Sequence, residues 1–265
     1  TDADAYPVEF RFTANGNWTG SVDAVDQGKT NPSDPGVNPL QAFPQTVVYN
    51  GQSQVVAWAK IADGADFHGK IESSNDGGAS WKDASEYKQT NAGNYPVSFR
   101  LTGTGNYSGE YFADTVGIIK QAPLPAADQV IEAYGYTNTY NGQAQTVADA
   151  KVKDGTDFTG DFHYSTDNRL TWKDGKEYQA TDADAYPVEF RFTANGNYTG
   201  IVYATATGKI NPQQVDPNDP DRYIDAKGYT HTYDSTEKLV ANARIKDGFG
   251  GTLQVSTDDG STWKD

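Results

Sequence analysis

The stretch YPVEFRFTA, residues 186–194, decides the fold class of this chain. Every second residue in it is aromatic or aliphatic, and the residues between are mostly polar. The apolar set is Tyr186, Val188, Phe190 and Phe192. A period of two is typical of an antiparallel strand with one buried and one solvated face. The stretch therefore predicts a half-buried strand, and no segment of the chain shows a sustained helical period.

This strand belongs to a repeat. Residues 1–20, TDADAYPVEFRFTANGNWTG, recur at 181–200 with one change, Trp18 to Tyr198, and a diverged copy spans 91–109. A second landmark is a Tyr-Asn-Gly segment, found with Asn50-Gly51 and again with Asn141 and Gly142. Asn and Gly favour left-handed backbone angles, so both pairs predict hairpin turns.

The order of these landmarks divides the chain into units of about 91 residues. Two units are complete, and two are partial. The complete ones are the first unit, 38–122, and the second unit, 127–212; the N-terminal part, 1–32, is the back of a unit, and the C-terminal part, 222–265, is the front of one. Pro-rich segments separate them and are expected to hold neighbours apart semi-rigidly. The alternation and the turn spacing within each unit predict about seven short strands, as in a small immunoglobulin-like β-sandwich.

One motif in each unit resembles the Asp-box of sialidase propellers. It reads STDDGSTW at 256–263, with relatives at 73–81 and 165–172, and its tryptophans Trp81, Trp172 and Trp263 are each 91 residues from the next. We interpret it as a structural hairpin, in which Asp accepts backbone N–H groups, Gly adopts a positive φ and Trp packs beneath. A propeller would need the motif in successive short blades. The other turn residues assigned to it are Asp76, Gly77, Asp167, Asp258 and Gly260. Asn168 is taken as the counterpart of Gly77 in the second unit, and Gly260 as its counterpart in the third copy.

Composition excludes several classes of function. The 36 acidic residues against 21 basic ones give a net charge of −15, which argues against nucleic acid or membrane surfaces as partners. There is no Cys, so this segment has no disulfide, thiolate metal site or Cys nucleophile. The three His residues occupy non-equivalent positions in their units, without metal-ligand spacing. No repeated catalytic set is present, so the sequence predicts neither an enzyme nor a cofactor.

Two alternatives remain open at this stage. Asp154, Asp157 and Asp167 could form a calcium site, although no EF-hand spacing is present. Three copies of the glycosylation pattern start at Asn17, Asn106 and Asn197, and all fall in the same GN-aromatic turn. Turn geometry accounts for Asn at that place without a glycan.

The chain resembles the immunoglobulin-like MBG-type repeats of bacterial cell-surface proteins. The resemblance rests on TYNGQAQTV, YSTDNRLTWKD and AYPVEFRFTANGNYTG in the second unit, and on NAGNYPV in the first. The segment DADAY at 182–186 lacks the Gly that the corresponding segment NAGNY of the first unit has. The resemblance implies an extracellular stalk that holds an adhesive head away from the cell wall in anchored proteins of Gram-positive bacteria. The alternative is that the repeats themselves bind host glycans or proteins weakly and multivalently.

The ends of the chain raise one further hypothesis. The C-terminal STWKD is followed by the N-terminal TDADAYPVEF with only GKEYQA missing, as residues 171–190 show. Either the sequence is a window from a longer array, the interpretation preferred here, or the partial units of different molecules complete one another head to tail. In both cases the expected partners are neighbouring repeats.

Overall fold

The computed structural model of the chain describes residues 2–265, and Thr1 of the N-terminal part lies outside the described residues. Strands make up 52% of the residues and helices 3%, which confirms the predicted all-β class. The helical residues are a single turn α1, Ala127–Val130, and a 3-10 turn, Pro220–Arg222. The strands, in chain order, are β1 Ala5–Thr13, β2 Ser21–Lys29, β3 Leu40–Pro44, β4 Thr46–Val48, β5 Gln54–Ile61, β6 Gly69–Ser74, β7 Lys82–Asp83, β8 Glu86–Gln89, β9 Gly93–Gly103, β10 Glu110–Lys120, β11 Ala122–Pro123, β12 Ile131–Gly135, β13 Thr137–Thr139, β14 Gln145–Val152, β15 Thr159–Ser165, β16 Lys173–Asp174, β17 Glu177–Ala180, β18 Ala185–Asn195, β19 Tyr198–Thr199, β20 Ile201–Asn211, β21 Ile224–Gly228 and β22 Ala241–Ile245.

The first and second units have the same sheet topology. In the first unit, one sheet has the order β3-β5-β8 and the other β4-β10-β9-β6-β7. In the second unit, the orders are β12-β14-β17 and β13-β20-β18-β15-β16. The two sheets of each unit face each other across a hydrophobic core, an arrangement consistent with a β-sandwich.

The alternating stretch lies in β18, at the centre of this core. Val188, Phe190 and Phe192 are between 0% and 1% exposed. Val188 and Phe190 pack on Ala148 and Ala150 of the opposite sheet. Small residues and two glycines let the sheets approach closely: a Cβ on Gly208 would lie 2.1 Å from the Val147 carbonyl oxygen. Likewise, a Cβ on Gly135 would lie 2.1 Å from the Thr207 carbonyl oxygen.

The Asn-Gly segments are not hairpins, so that prediction was wrong. Asn50-Gly51 connects β4 to β5, and Asn141-Gly142 connects β13 to β14, and in each case the two strands belong to different sheets. Asn141 Oδ1 accepts the Gln143 N–H at 2.9 Å, and Gly142 has a φ of 78°. The local turn chemistry is as expected. The strand after the turn nevertheless pairs within the three-stranded sheet, because its apolar face must meet the core from the other side.

The two ends of the chain form small separate sheets. β1 pairs only with β2, and β21 pairs only with β22. β1–β2 has the same register as β18–β20, and β21–β22 the same register as β12–β14. Each end therefore reproduces part of a unit without the sheet that would cover it.

Candidate functional site: the junction between the units

The segment between the first and second units is bonded to the second unit. Within it, β11 runs parallel to β19. The Ala122 N–H donates to the Asn197 carbonyl at 3.0 Å, and the Leu124 N–H donates to the Thr199 carbonyl at 3.0 Å. A Pro-containing strand has few donors of its own, so two backbone hydrogen bonds use most of its capacity. The segment is part of a contact surface and not a free spacer.

Asn197 connects the two units through its side chain. Its Oδ1 accepts the Ala92 N–H of the first unit at 2.8 Å, and its Nδ2 donates to Asn91 Oδ1 at 3.2 Å. The same residue therefore closes the turn before Tyr198 and holds the loop of the preceding unit. A glycan on Asn197 Nδ2 would have to fit where this nitrogen lies 3.2 Å from Asn91 Oδ1, so the contact between the units disfavours the glycosylation alternative.

A carboxylate between two tyrosines forms the second contact of the junction. Asp157 Oδ2 accepts from Tyr49 Oη at 2.7 Å, and its Oδ1 accepts from Tyr198 Oη at 2.9 Å. The rings of Tyr49 and Tyr198 meet edge to face with centroids 5.3 Å apart. Tyr198 also packs on Val56 and Ile119 at the end of the first unit's core. The two units thus share a hydrophobic contact as well as hydrogen bonds.

These contacts shift the ionisation of the three groups. The hydrogen bond from Tyr49, and then that from Tyr198, hold the pKa of Asp157 below its ordinary value. Burial, and then the hydrogen bond to Asp157, raise the pKa of Tyr198 to about 12. The junction is therefore assembled with an ionised carboxylate and two neutral phenols across the neutral pH range.

The junction between the N-terminal part and the first unit is held by the same kind of Asn side-chain contact. Asn106 Oδ1 accepts the Ala3 N–H at 2.6 Å, and Asn106 Nδ2 donates to Asp2 Oδ1 at 2.9 Å. Ser33, in the Pro-rich segment, exchanges backbone hydrogen bonds with Asn106 and Ser108, both at 2.8 Å. Asn106 and Asn197 are the same position of the GN-aromatic turn, so each of these two turns holds the loop of the unit before it.

The Asp-box-like turns lie away from the junction and are built from local hydrogen bonds. In the second unit, Asp167 accepts from the Thr171 N–H at 2.9 Å and from Thr171 Oγ1 at 2.5 Å. Ser165 Oγ donates to Asp167 at 2.7 Å. The hydrogen bonds from Thr171 are the largest cause that lowers the pKa of Asp167 to about 2. The equivalent hydrogen bonds from Thr262 and Ser256 lower the pKa of Asp258 to about 2. The pKa of Asp76 is lowered as well, chiefly by Ser74.

The predicted equivalence of Gly260 with Gly77 in these turns is wrong. Two consecutive residues, not one, have positive φ in each copy: Gly77 and Gly78, Asn168 and Arg169, Asp259 and Gly260. Gly260 therefore corresponds to Gly78, and Asp259 is the counterpart of Gly77.

The turn tryptophans lie on the outer face of the five-stranded sheets. Trp81 stacks with Arg100 at 4.6 Å and contacts Phe112, and Trp172 stacks with Arg191 at 4.6 Å and contacts Tyr203. Trp263 of the C-terminal part lacks such a strand beneath it and is 59% exposed. The turn itself is local, but the packing of its tryptophan requires the back half of a unit.

The acidic residues named for a calcium site have separate partners. Asp154 pairs with Lys151 at 2.6 Å, Asp157 binds the two tyrosines, and Asp167 closes its own turn. Within residues 2–265, no three His or acidic side chains lie close enough together to hold a metal ion. His163 contacts Asp174 at 3.0 Å, and His231 contacts the Leu239 carbonyl at 2.7 Å.

Sequence reasoning missed the junction. It assigned Asn197 to a turn and Asp157 to a calcium cluster, and it did not connect either to Tyr49 or Asn91. A signal was available, because an Asn before the aromatic residue is present in all three GN-aromatic turns. The partners of that Asn lie more than 100 residues away in sequence, so spacing alone could not identify them.

Comparisons with known proteins add no family assignment. No protein-family model matches the chain, and no curated protein matches it. In residues 2–265, no helix has the length and apolar character needed to cross a membrane.

Proposed function

We propose that this chain is a segment of a non-enzymatic stalk, built from tandem immunoglobulin-like β-sandwich units, in an extracellular bacterial surface protein anchored to a Gram-positive cell wall. Its role is to space an adhesive head from the wall. The observation that carries the proposal is the repeated junction, in which Asn106 and Asn197 each hold the loop of the preceding unit.

A spacer must resist bending between its units. A flexible linker lets units reorient freely, whereas hydrogen bonds from both the linker and the loop restrict them to one arrangement. At the junction between the complete units, the linker strand β11, the Asn197 amide and the Asp157 carboxylate all join them. Three contacts at separate points fix an orientation better than any one of them.

The rival function is binding of host glycans through exposed aromatic residues. The aromatic residues considered for glycan stacking are Trp18, which is 77% exposed, and Trp58. The counterpart of Trp18 in the second unit is Tyr198, which lies in the junction, and Trp58 stacks on Phe43 with centroids 4.3 Å apart. Trp58 thus packs within its own unit, and the position of Trp18 serves a junction in the second unit; both observations support the stalk over glycan binding.

Small-angle X-ray scattering of the 265-residue chain tests the stalk directly. We expect a single elongated shape for the wild type at low concentration. Asn197→Ala combined with Asp157→Ala should broaden the distribution of distances, because the hydrogen bonds that these two side chains make across the junction are lost. Asn141→Ala is the matched control, since Asn141 bonds only within its own turn.

Two outcomes would contradict the proposal. A wild-type chain as flexible as the double variant would show that the junction does not hold the units in place. Saturable binding of the wild-type chain to glycans or mucin, abolished by Trp18→Ala or Trp58→Ala, would favour the adhesive function instead.

A further inference from the structure

The two complete units differ at one place on the outer face of the five-stranded sheet, beside the Asp-box-like turn. In the second unit, the Arg169 side chain lies there: its Nε donates to Glu189 at 2.9 Å, and its guanidinium lies 4.4 Å from the centre of the Tyr203 ring. The first unit has Gly78 at the position of Arg169 and a groove of about 410 Å³ at this place. The groove is therefore a place that an arginine side chain fills in one unit and leaves open in the other.

The backbone at Arg169 shows that its side-chain contacts are favourable. Arg169 has a φ of 69°, a left-handed conformation that disfavours any residue with a long side chain. Gly78, with a φ of 88°, suits the same turn without that penalty. The second unit thus retains an unfavourable backbone conformation in order to place a guanidinium against an aromatic ring and a carboxylate.

The groups that hold this guanidinium are also present in the first unit. Phe112 takes the position of Tyr203 and is 51% exposed. Asp114 lies two residues further along β10, so it shares the outer face with Phe112. Asp114 also faces Ser98, the counterpart of Glu189, directly across β9–β10. The aromatic ring is therefore kept, and the carboxylate has moved by one strand.

The other charged groups near the groove of the first unit already have partners. Arg100 faces Phe112 across β9–β10, but it bonds Glu72 at 2.6 Å and stacks with Trp81. The Asp76 carboxylate accepts the Ser80 N–H at 2.9 Å within its own turn. Asp114 lines the groove, is exposed, and takes part in no ion pair of residues 2–265. Its carboxylate is the one in the groove that can receive an added cation.

We propose that this groove of the first unit binds an arginine side chain presented by a separate protein. A planar guanidinium can stack on an aromatic ring while it bonds a carboxylate, which the compact ammonium of lysine does less well. A second copy of the chain is a poor source, because each copy carries a net charge of −15 and copies repel one another. The inference goes beyond the stalk proposal and does not depend on it, since it gives one unit a partner that a spacer does not require.

An NMR titration of the isotope-labelled 265-residue chain with the peptide acetyl-Gly-Ser-Arg-Ser-Gly-amide is the first test. We expect saturable shifts at the amides of residues 96–98 and 114–116, with a Kd in the millimolar range because only one side chain is bound. The same peptide with citrulline, which keeps the shape but not the charge, should bind more weakly. Asp114→Asn should weaken binding of the arginine peptide about threefold to fivefold, as expected for one exposed ion pair.

Transplanting the second unit's own pair is the sharper test. Gly78→Arg combined with Ser98→Glu should abolish peptide binding, because the tethered guanidinium occupies the groove at a high effective concentration. Gly78→Ala combined with Ser98→Glu is the matched control and should still bind, since it adds the carboxylate without the guanidinium. The melting temperatures of both variants establish that the first unit remains folded.

The converse variant opens the groove in the second unit. Arg169→Gly removes the guanidinium from Tyr203 and Glu189 and relieves the left-handed backbone, so the unit should fold normally. The arginine peptide should then also shift the amides of residues 187–189 and 205–207, which it leaves unchanged in the wild type.

Four results would overturn the proposal. The first is the absence of saturable shifts at residues 96–98 and 114–116, and the second is equal binding of the arginine and citrulline peptides. The third is undiminished binding by the chain with Gly78→Arg and Ser98→Glu. The fourth is that the same amides shift as the chain alone is concentrated, which would assign the groove to a second copy. None of these results affects the scattering test of the junction, so the two proposals can fail separately.

Discussion

Two regions of this molecule share one sequence and have opposite environments. Residues 2–20 and 182–200 differ only at Trp18 and Tyr198, and both form the first strand of the same hairpin in the same register. Phe190 is fully buried in the second unit, whereas Phe10 is 61% exposed in the N-terminal hairpin. The local sequence fixes the strand and its two faces, and the burial of the apolar face depends on whether an opposing sheet is present.

The largest expected difference comes from removing the same side chain in both regions. Phe190→Ala should destabilise the second unit by about 3–5 kcal/mol, because it leaves a cavity in a packed core. Phe10→Ala should change the free energy of unfolding by less than about 0.5 kcal/mol at concentrations where the chain is monomeric. Urea denaturation of both variants measures the two values, and similar losses would mean that the hairpin is covered in the monomer.

A smaller difference is expected from adding a methyl group to the paired glycines. Gly208→Ala should cost about 1–3 kcal/mol or more, because the new Cβ would overlap the backbone of Val147. Gly28→Ala meets no such backbone in the monomer and should be close to neutral. Thermal unfolding at low concentration compares them. A destabilised Gly28→Ala monomer would contradict the open face of the hairpin.

Hydrogen exchange tests the comparison without any mutation. β18 is paired on both edges over residues 189–193, with β15 and β20, whereas β1 is paired on one edge only. Alternate amides of β1 should therefore exchange rapidly while those of β18 between residues 189 and 193 are protected. Equal protection of the two strands at high dilution would contradict the unpaired edge.

The smallest difference is expected in the Asp-box-like turns, where both regions should behave alike. Asp167 lies in an intact unit and Asp258 in an open one, yet local hydrogen bonds lower both pKa values to about 2. A lowered pKa stabilises the folded turn above the unfolded value near pH 4, and that contribution is lost as the pH falls towards 2. Carboxyl chemical shifts in an NMR titration should give similar midpoints, and Asp167→Asn should remove the pH dependence of its own turn. An ordinary pKa for Asp258 alone would show that the turn needs the complete unit.

The sequence predicted what depends on neighbouring residues. The period of two in residues 186–194 predicted an all-β chain and the buried face of β18, and both are confirmed. The Asn-Gly pairs predicted left-handed glycines correctly and hairpins incorrectly, because pairing of the following strand is decided by the core. The junction was not predicted, since Asn197 and Asp157 bind partners about 100 residues away.

What the sequence determined by itself is the all-β class, the apolar face of each alternating segment and the backbone chemistry of the turns. All of these follow from backbone preferences and alternation within a few residues. Only the tertiary structure decided which apolar faces are covered, which segments become strands and where the units touch. Residues 230–232 and 250–256 show the reason most directly, because they correspond to β13 and β15 yet form no strand, apart from one bridge between Val255 and Lys264. A ladder of hydrogen bonds and a buried face each need a second strand, and within a unit that strand comes from a distant part of the chain.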